Sequence, residues 1–267
     1  MTSDHFAAIQ ADTLSLHAQA LLPSLLARVH PQTAADEQAL AILRKWNGDA
    51  RADSGAAAIF QAWLLELTPA IVADELGPLM MADYRGLERS SFVARFLAKT
   101  LALPNSAWCD DVRTPKHETC DDAVSTALRA AVGDLTRSLG SDLARWRWDV
   151  VHRAVFPHLG LDGVAALRPF LSRSMPHGGD WSTVDVGPVA AGHPFEQHSI
   201  PGYRQIIDLS PANDSRFLDA VGQSGHPLSK HYDDFLADWA AVRHRPMRME
   251  REAVERGAIG HLRLTPR

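Results

Sequence analysis

Apolar residues recur at helical spacing through the first half of the chain. Phe6, Ile9, Leu16, Leu21, Leu25 and Val29 follow Ser3 and Asp4, either of which can cap a helix, and Pro31 stops the run. One helix is therefore expected from the N-terminus to Pro31. A second is expected over 34–46, ending at the turn Asn47-Gly48-Asp49. Ser54 caps a third, with Ile59, Phe60, Trp63, Leu64, Leu67 and Ile71 on its apolar positions. A fourth is expected over 85–101, and a fifth begins near Thr119 and carries Val124, Leu128, Val132 and Leu135. Much of the filler is alanine, the strongest helix former.

The pattern changes after Trp148. Pro157, Pro169, Pro176, Gly178 and Gly179 punctuate the chain, and short runs of branched residues replace the helical rhythm. Candidate strands are 183–186, 203–209 (bounded by Gly202 and by Ser210-Pro211) and 258–264, with one more helix over 230–243. The reading is an α+β chain, with a helical region at 1–143 and a mixed, strand-containing region at 144–267. Three or four scattered strands leave many edges, and edges need partners or cover. The strands are thus expected to complete sheets whose other members lie in another part or another chain; the alternative is a self-contained domain with a modest sheet.

Composition narrows the function classes. The chain has 267 residues, 46% hydrophobic and 22% charged, enough to bury a sizeable core. A net charge of −5 argues against a nucleic-acid binder, and the arginines from Arg243 to Arg256 alternate with Glu250, Glu252 and Glu255 as on a solvated face. The longest apolar run, 56–67, is broken by Gln61 and Glu66 and is too short to span a bilayer. Thr2, Ser3 and Asp4 follow Met1 without the basic and apolar regions of a secretory signal, and a chain opening on a core helix is expected to be a fragment. Cys109 and Cys120 flank a polar loop and can form a disulfide in an oxidising compartment or remain two thiols in the cytosol. Two cysteines alone cannot build a tetrahedral zinc site.

Several segments together carry a family pattern. Phe6 to Ser15 contains Ile9-Gln10-Ala11-Asp12 followed by Ser15, an I-Q-x-D-x-x-S arrangement. Trp108-Cys109-Asp110-Asp111 precedes Thr114, Glu118 and Cys120, and Arg145-Trp146-Arg147-Trp148 precedes His152. Gly178-Gly179-Asp180 leads into Thr183-Val184, and Tyr203 to Asp208 forms a late strand. The most specific run is Gly222-Gln223-Ser224-Gly225-His226-Pro227-Leu228-Ser229, continuing through His231-Tyr232-Asp233-Asp234. In order and spacing these segments resemble the penicillin acylase (penicillin amidase) family of N-terminal-nucleophile hydrolases, over the C-terminal portion of its large chain.

The resemblance implies a fragment of a four-layer αββα fold that cleaves linear amides, such as the side-chain amide of penicillins or the acyl amide of homoserine-lactone signals. In that family a precursor cuts itself and exposes a serine, whose hydroxyl attacks the carbonyl while its own α-amine takes the proton. An asparagine and backbone N–H groups hold the oxyanion. The serine, that asparagine and the family's calcium site are expected upstream of the I-Q-x-D helix, so no catalytic residue, metal or cofactor is expected here. The expected partner is a chain carrying the N-terminal serine, with no nucleic acid and no membrane span. The resemblance implies a periplasmic or secreted protein; without an export signal a cytoplasmic one stays open.

Thr2 fits a helix cap better than an N-terminal nucleophile. Ser224 has Gly222 two residues before it, but His226 stands where a G-x-S-x-G elbow needs its second glycine. His226 and His231 with Asp233 and Asp234 have zinc-ligand chemistry, yet the acids suit the start of a helix. His152 and His158 read as core or loop histidines, and Trp146 and Trp148 as core. Asp208, Gln223, Ser224 and His231 remain as residues the resemblance places on the substrate side of a complete enzyme. A non-catalytic scaffold derived from the same fold is the competing reading.

Overall fold

The computed structural model describes residues 1–86, 91–189, 192–210 and 214–266, without the side chains of 84–86 and 91–93. Its helices and strands run α1 (Ser3–Gln10), α2 (Leu16–Arg28), α3 (Ala34–Leu43), α4 (Gly55–Gly86), α5 (Ser91–Ala102), α6 (Cys120–Leu139), α7 (Trp148–Val151), β1 (Arg153–Phe156), α8 (Arg168–Leu171), β2 (Arg173–Pro176) and β3 (Glu196–Gln197). They continue with β4 (Tyr203–Ile206), β5 (Arg216–Asp219), α9 (Leu236–Ala240), β6 (Arg245–Pro246) and α10 (Arg251–Gly257). The chain is α+β and forms two compact units, Asp12–Ile200 and Met1–Ala11 with Pro201–Arg267. The change from helical to mixed content near 143 falls inside the first of these.

The single helix expected before Pro31 is two helices. Thr2, rather than Ser3 or Asp4, caps α1. Residues 12–15 are then drawn into extended backbone, because Ala50 N–H donates to the Thr13 carbonyl at 2.8 Å and Ser15 N–H to the Gly48 carbonyl at 2.9 Å. Ser15 restarts the helix, its Oγ accepting Ala18 N–H at 3.0 Å.

The core of the larger unit is built on α4 and α6, which pack against each other. Phe60, Trp63, Leu67 and Ile71 of α4 and Val124 of α6 are fully buried, as are Leu25, Leu40 and Leu43. Trp63 also donates its indole N–H to the Val124 carbonyl at 2.9 Å. α4 runs past Ile71 and breaks at Gly77, where φ is 66°, and Pro78 begins the next turn. From Gly55 to Asp83 it is long and apolar enough to cross a membrane, unlike the short run expected. Yet 67% of its most apolar window is buried inside the protein, as in a core helix. Of the helix expected over 85–101, residues 87–90 lie outside the described residues.

Cys109 and Cys120 form a disulfide, with Cα atoms 4.9 Å apart. The bridge leads straight into α6, where Thr119 and Asp122 make a reciprocal capping box. Hydrogen bonds from the Thr119 hydroxyl and backbone, then Lys116, hold the Asp122 carboxyl down at about 2.

The strands differ most from expectation. In the larger unit β1 pairs antiparallel with β2 and parallel with β3; in the smaller, β5 pairs antiparallel with β4 and β6. Only β4 overlaps an expected strand, and Pro211, expected to bound it, lies outside the described residues. Residues 183–186 form a turn instead, because Thr183 Oγ1 bonds locally and Asp185 N–H donates to the Asp12 carbonyl at 2.9 Å. Residues 258–264 make no ladder, and Ile259, Leu262 and Leu264 stand exposed. The helix expected over 230–243 shrinks to α9, since Phe235 N–H donates to the Val221 carbonyl at 2.8 Å and closes a loop instead. Exposed apolar side chains occur in both units, Leu159 and Phe170 in the larger and Tyr203, Ile207 and Leu209 in the smaller.

The bridge closes a loop with a sequence separation of 11. Loop-closure entropy then gives it about 3 kcal/mol. Replacing both cysteines by serine is expected to lower the unfolding free energy by about that amount, measured by urea denaturation; reductant should shift the parent protein alike and leave the double variant unchanged.

Candidate functional site

Gln223, Ser224 and His231 meet in one loop of the smaller unit. Ser224 N–H donates to the His231 carbonyl at 3.0 Å and Tyr232 N–H to the Ser229 carbonyl at 3.1 Å, folding 221–235 back on itself. Gly222 permits this: a Cβ there would lie 2.6 Å from the Tyr232 carbonyl carbon. Gln223 donates to Asp219 Oδ2 at 2.6 Å, at the end of β5. The Ser224 hydroxyl oxygen accepts His226 N–H at 3.2 Å, a turn contact. Asp208 is held at the other end of the β4–β5 pair, its backbone N–H donating to Ser215 Oγ at 3.1 Å and its carboxylate accepting Ser210 N–H at 3.0 Å. The structure thus groups three of the four candidates and separates Asp208.

His231 does not begin a helix, as had been expected. Its Nδ1 lies 3.1 Å from Asp234 Oδ2. Asp234 also faces Arg245, which lies 3.8 Å over the Phe235 ring and bonds Asp238 at 2.8 Å. Burial works to raise the Asp234 carboxyl, but hydrogen bonds from His231 and Arg245 prevail and hold it below the usual range. Arg245 is therefore a packed anchor rather than part of a solvated arginine run; Arg251 and Glu255, 2.7 Å apart on exposed α10, fit the solvated picture.

In the larger unit two of the sequence segments converge on Asp180. Its carboxyl group, 1% exposed, accepts from the Ser15 hydroxyl, from Gln61 Nε2 at 2.9 Å, and from Ser182 N–H at 2.7 Å and Oγ at 2.8 Å. Four donors saturate it, so it fixes structure and is not a free base. Gly179 makes the approach with φ 78°, and its carbonyl accepts the Trp148 indole N–H at 3.0 Å. His17 on α2 lies nearby; burial lowers its pKa, opposed by the Asp180 charge.

Trp146 and Trp148 are core, as expected, and the ring of His152 stacks on Trp148 with centroids 4.3 Å apart. His152 Nδ1 lies 2.8 Å from the Phe195 carbonyl, a geometry that makes it the donor. Burial, aided by nearby His177, pushes its pKa down from 6.5 to about 3.

Ser15, Trp148, His152 and Asp180 lie in segments that carry the family pattern, and the penicillin amidase family model matches residues 1–256. The chain belongs to the penicillin amidase family. It is 30% identical over 238 residues to the acyl-homoserine lactone acylase QuiP of Pseudomonas aeruginosa, covering 84% of this chain and 28% of that protein. It is 30% identical over 278 residues to the penicillin acylase 2 proenzyme of Pseudomonas sp. strain SE83, covering 98% of this chain and 33% of that protein. The thermostable penicillin G acylase of Alcaligenes faecalis shares its fold over 96% of this chain and 48% of that one, with a TM-score of 0.51 at 19% identity. The chain thus spans about a third or less of the length of these two curated relatives.

Several segments that carry the family pattern in this penicillin amidase family chain therefore hold the tertiary structure together. The Ser15–Asp180 contact was missed in the sequence because 165 positions separate its partners; the only signal was that both residues sat in segments carrying the family pattern. A metal-ligand grouping was missed as well: among the described residues, His193, Glu196 and His198 bring three ligand atoms within 4.8 Å of one another. Their H-x-x-E-x-H spacing was legible.

Asp180→Ala strands buried donors on Ser15, Gln61 and Ser182 and is expected to cost about 3 kcal/mol or more, measured by urea unfolding. His152 gives a pH dependence. The unfolded chain takes up a proton below 6.5, the folded chain only near 3. Stability is therefore full above that upper value and falls on acidification by about 1.4 kcal/mol per pH unit from this group. Unfolding curves between about pH 7.5 and 5 should lose that component of slope in His152→Phe.

Proposed function

We propose that this chain is the C-terminal part of the large chain of an amidohydrolase that cleaves linear acyl amides, and that it supplies framework rather than the nucleophile. The carrying observation is the family match over 1–256 on residues whose side chains are committed to structure. Thr2, the nearest thing to an N-terminal nucleophile, has its backbone N–H 3.0 Å from His5 Nδ1 and its hydroxyl in the α1 cap. Ser224 spends its hydroxyl on a turn.

The names of the relatives support two substrate classes, acyl-homoserine lactones and penicillins, both linear acyl amides at the bond cut. The nucleophilic serine, its oxyanion asparagine and the family's calcium site are assigned to a partner polypeptide or to a further part of the protein. Sheets of only three short strands among the described residues and exposed Tyr203, Ile207 and Leu209 support a docking role. The Cys109–Cys120 bridge supports a periplasmic or secreted location.

The 267-residue chain by itself is expected not to hydrolyse a chromogenic acyl amide. Co-expression with a family polypeptide bearing the N-terminal serine should yield a complex that does. Turnover by the chain alone that disappears in Thr2→Ala would overturn the proposal. A stable complex without turnover would favour the non-catalytic scaffold.

A further inference from the structure

We propose that His193, Glu196 and His198 form a surface site for a zinc-class divalent ion, independent of the amidohydrolase reading. Their ligand atoms all lie within 4.8 Å of one another, with His198 Nε2 3.1 Å from Glu196 Oε2 and the two imidazole centroids 4.7 Å apart. A tetrahedral zinc ion with bonds of about 2.0–2.1 Å spaces its ligands by roughly 3.4 Å, so small rotamer adjustments bring all three onto one ion. Two imidazoles and one carboxylate suit zinc, copper or nickel far better than calcium or magnesium, which prefer all-oxygen shells. Three protein ligands leave a fourth position for water or an incoming donor.

The backbone beneath the cluster is fixed rather than loose. Strand alternation on β3 turns Gln197 inward, fully buried, so Glu196 and His198 share the opposite, exposed face. Gln197 is anchored by donating Nε2 to the Val186 carbonyl at 2.9 Å and the Ser199 carbonyl at 3.0 Å. His193 is brought alongside by a tight turn closed by Glu196 N–H on the His193 carbonyl at 3.2 Å. That turn holds Phe195 at φ 71°, a left-handed conformation unfavourable for an aromatic residue. The carbonyl of this same Phe195 is held by His152 Nδ1 at 2.8 Å, so a buried histidine supports the strained turn that presents the ligands. Strain retained at a rigidly supported turn, with three ligands converging on its outer face, is the arrangement of a preorganised ion site.

The test is calorimetric titration of Zn²⁺ into the full chain after EDTA treatment and dialysis, with Co²⁺ as a spectroscopic probe. One ion per chain is expected, with a tetrahedral Co²⁺ absorption band that Zn²⁺ displaces and a Tm raised by about 5 °C at saturating zinc. His193→Ala, Glu196→Gln and His198→Ala change exposed side chains; each is expected to keep the parent circular dichroism and to weaken binding at least tenfold. The paired variant His226→Ala/His231→Ala should bind like the parent. Absence of saturable binding would overturn the site, as would binding unchanged in His198→Ala or abolished in the His226/His231 variant.

Discussion

The buried carboxyl group of Asp180 is the constraint around which the larger unit is organised. A carboxylate removed from water must have its lone pairs filled. Here the donors come from three separate stretches: Ser15 at the start of α2, Gln61 inside α4, and Ser182 in the turn beyond. Satisfying Asp180 therefore fixes where α2 begins, orients α4, and sets the path of the Gly178-Gly179 segment. That segment in turn receives the Trp148 indole, and Trp148 stacks on His152. One polar requirement thus ties the helical core to the small sheet β2-β1-β3.

This arrangement commits a serine, a histidine and an aspartate of the family segments to hydrogen bonds within the protein. Ser15 is saturated by Asp180 and the α2 cap, His152 is a neutral donor, and Asp180 has no free acceptor site facing water. In the smaller unit the loop carrying Gln223, Ser224 and His231 is held by backbone bonds and by the Arg245 anchor. All of these residues lie within the stretch 1–256 that matches the penicillin amidase family.

The major helices were legible because apolar residues recur at helical spacing in them and local start signals such as Ser54 and Thr119 precede them. The strands were poorly legible for the opposite reason. β1, β2, β4 and β5 have only four residues each and β3 and β6 only two, too few for alternation to register without boundary signals such as the Gly202 that marks β4. Helix starts also failed where a distant backbone competed: residues 12–15 pair with 48–50, and Phe235 N–H closes onto Val221.

The sequence by itself determined the α+β class, the principal helices, Trp146 and Trp148 as core, and the family. These are written in local spacing and in the order of short segments, which survive without knowledge of contacts. Only the tertiary structure decided that Cys109 and Cys120 are joined, that Ser15 and Asp180 meet, and that Asp208 stands apart from Gln223, Ser224 and His231. Such pairings depend on where the chain returns after about ten residues or many more, and that return is set by filling buried polar groups and packing the α4–α6 core, which no local pattern encodes.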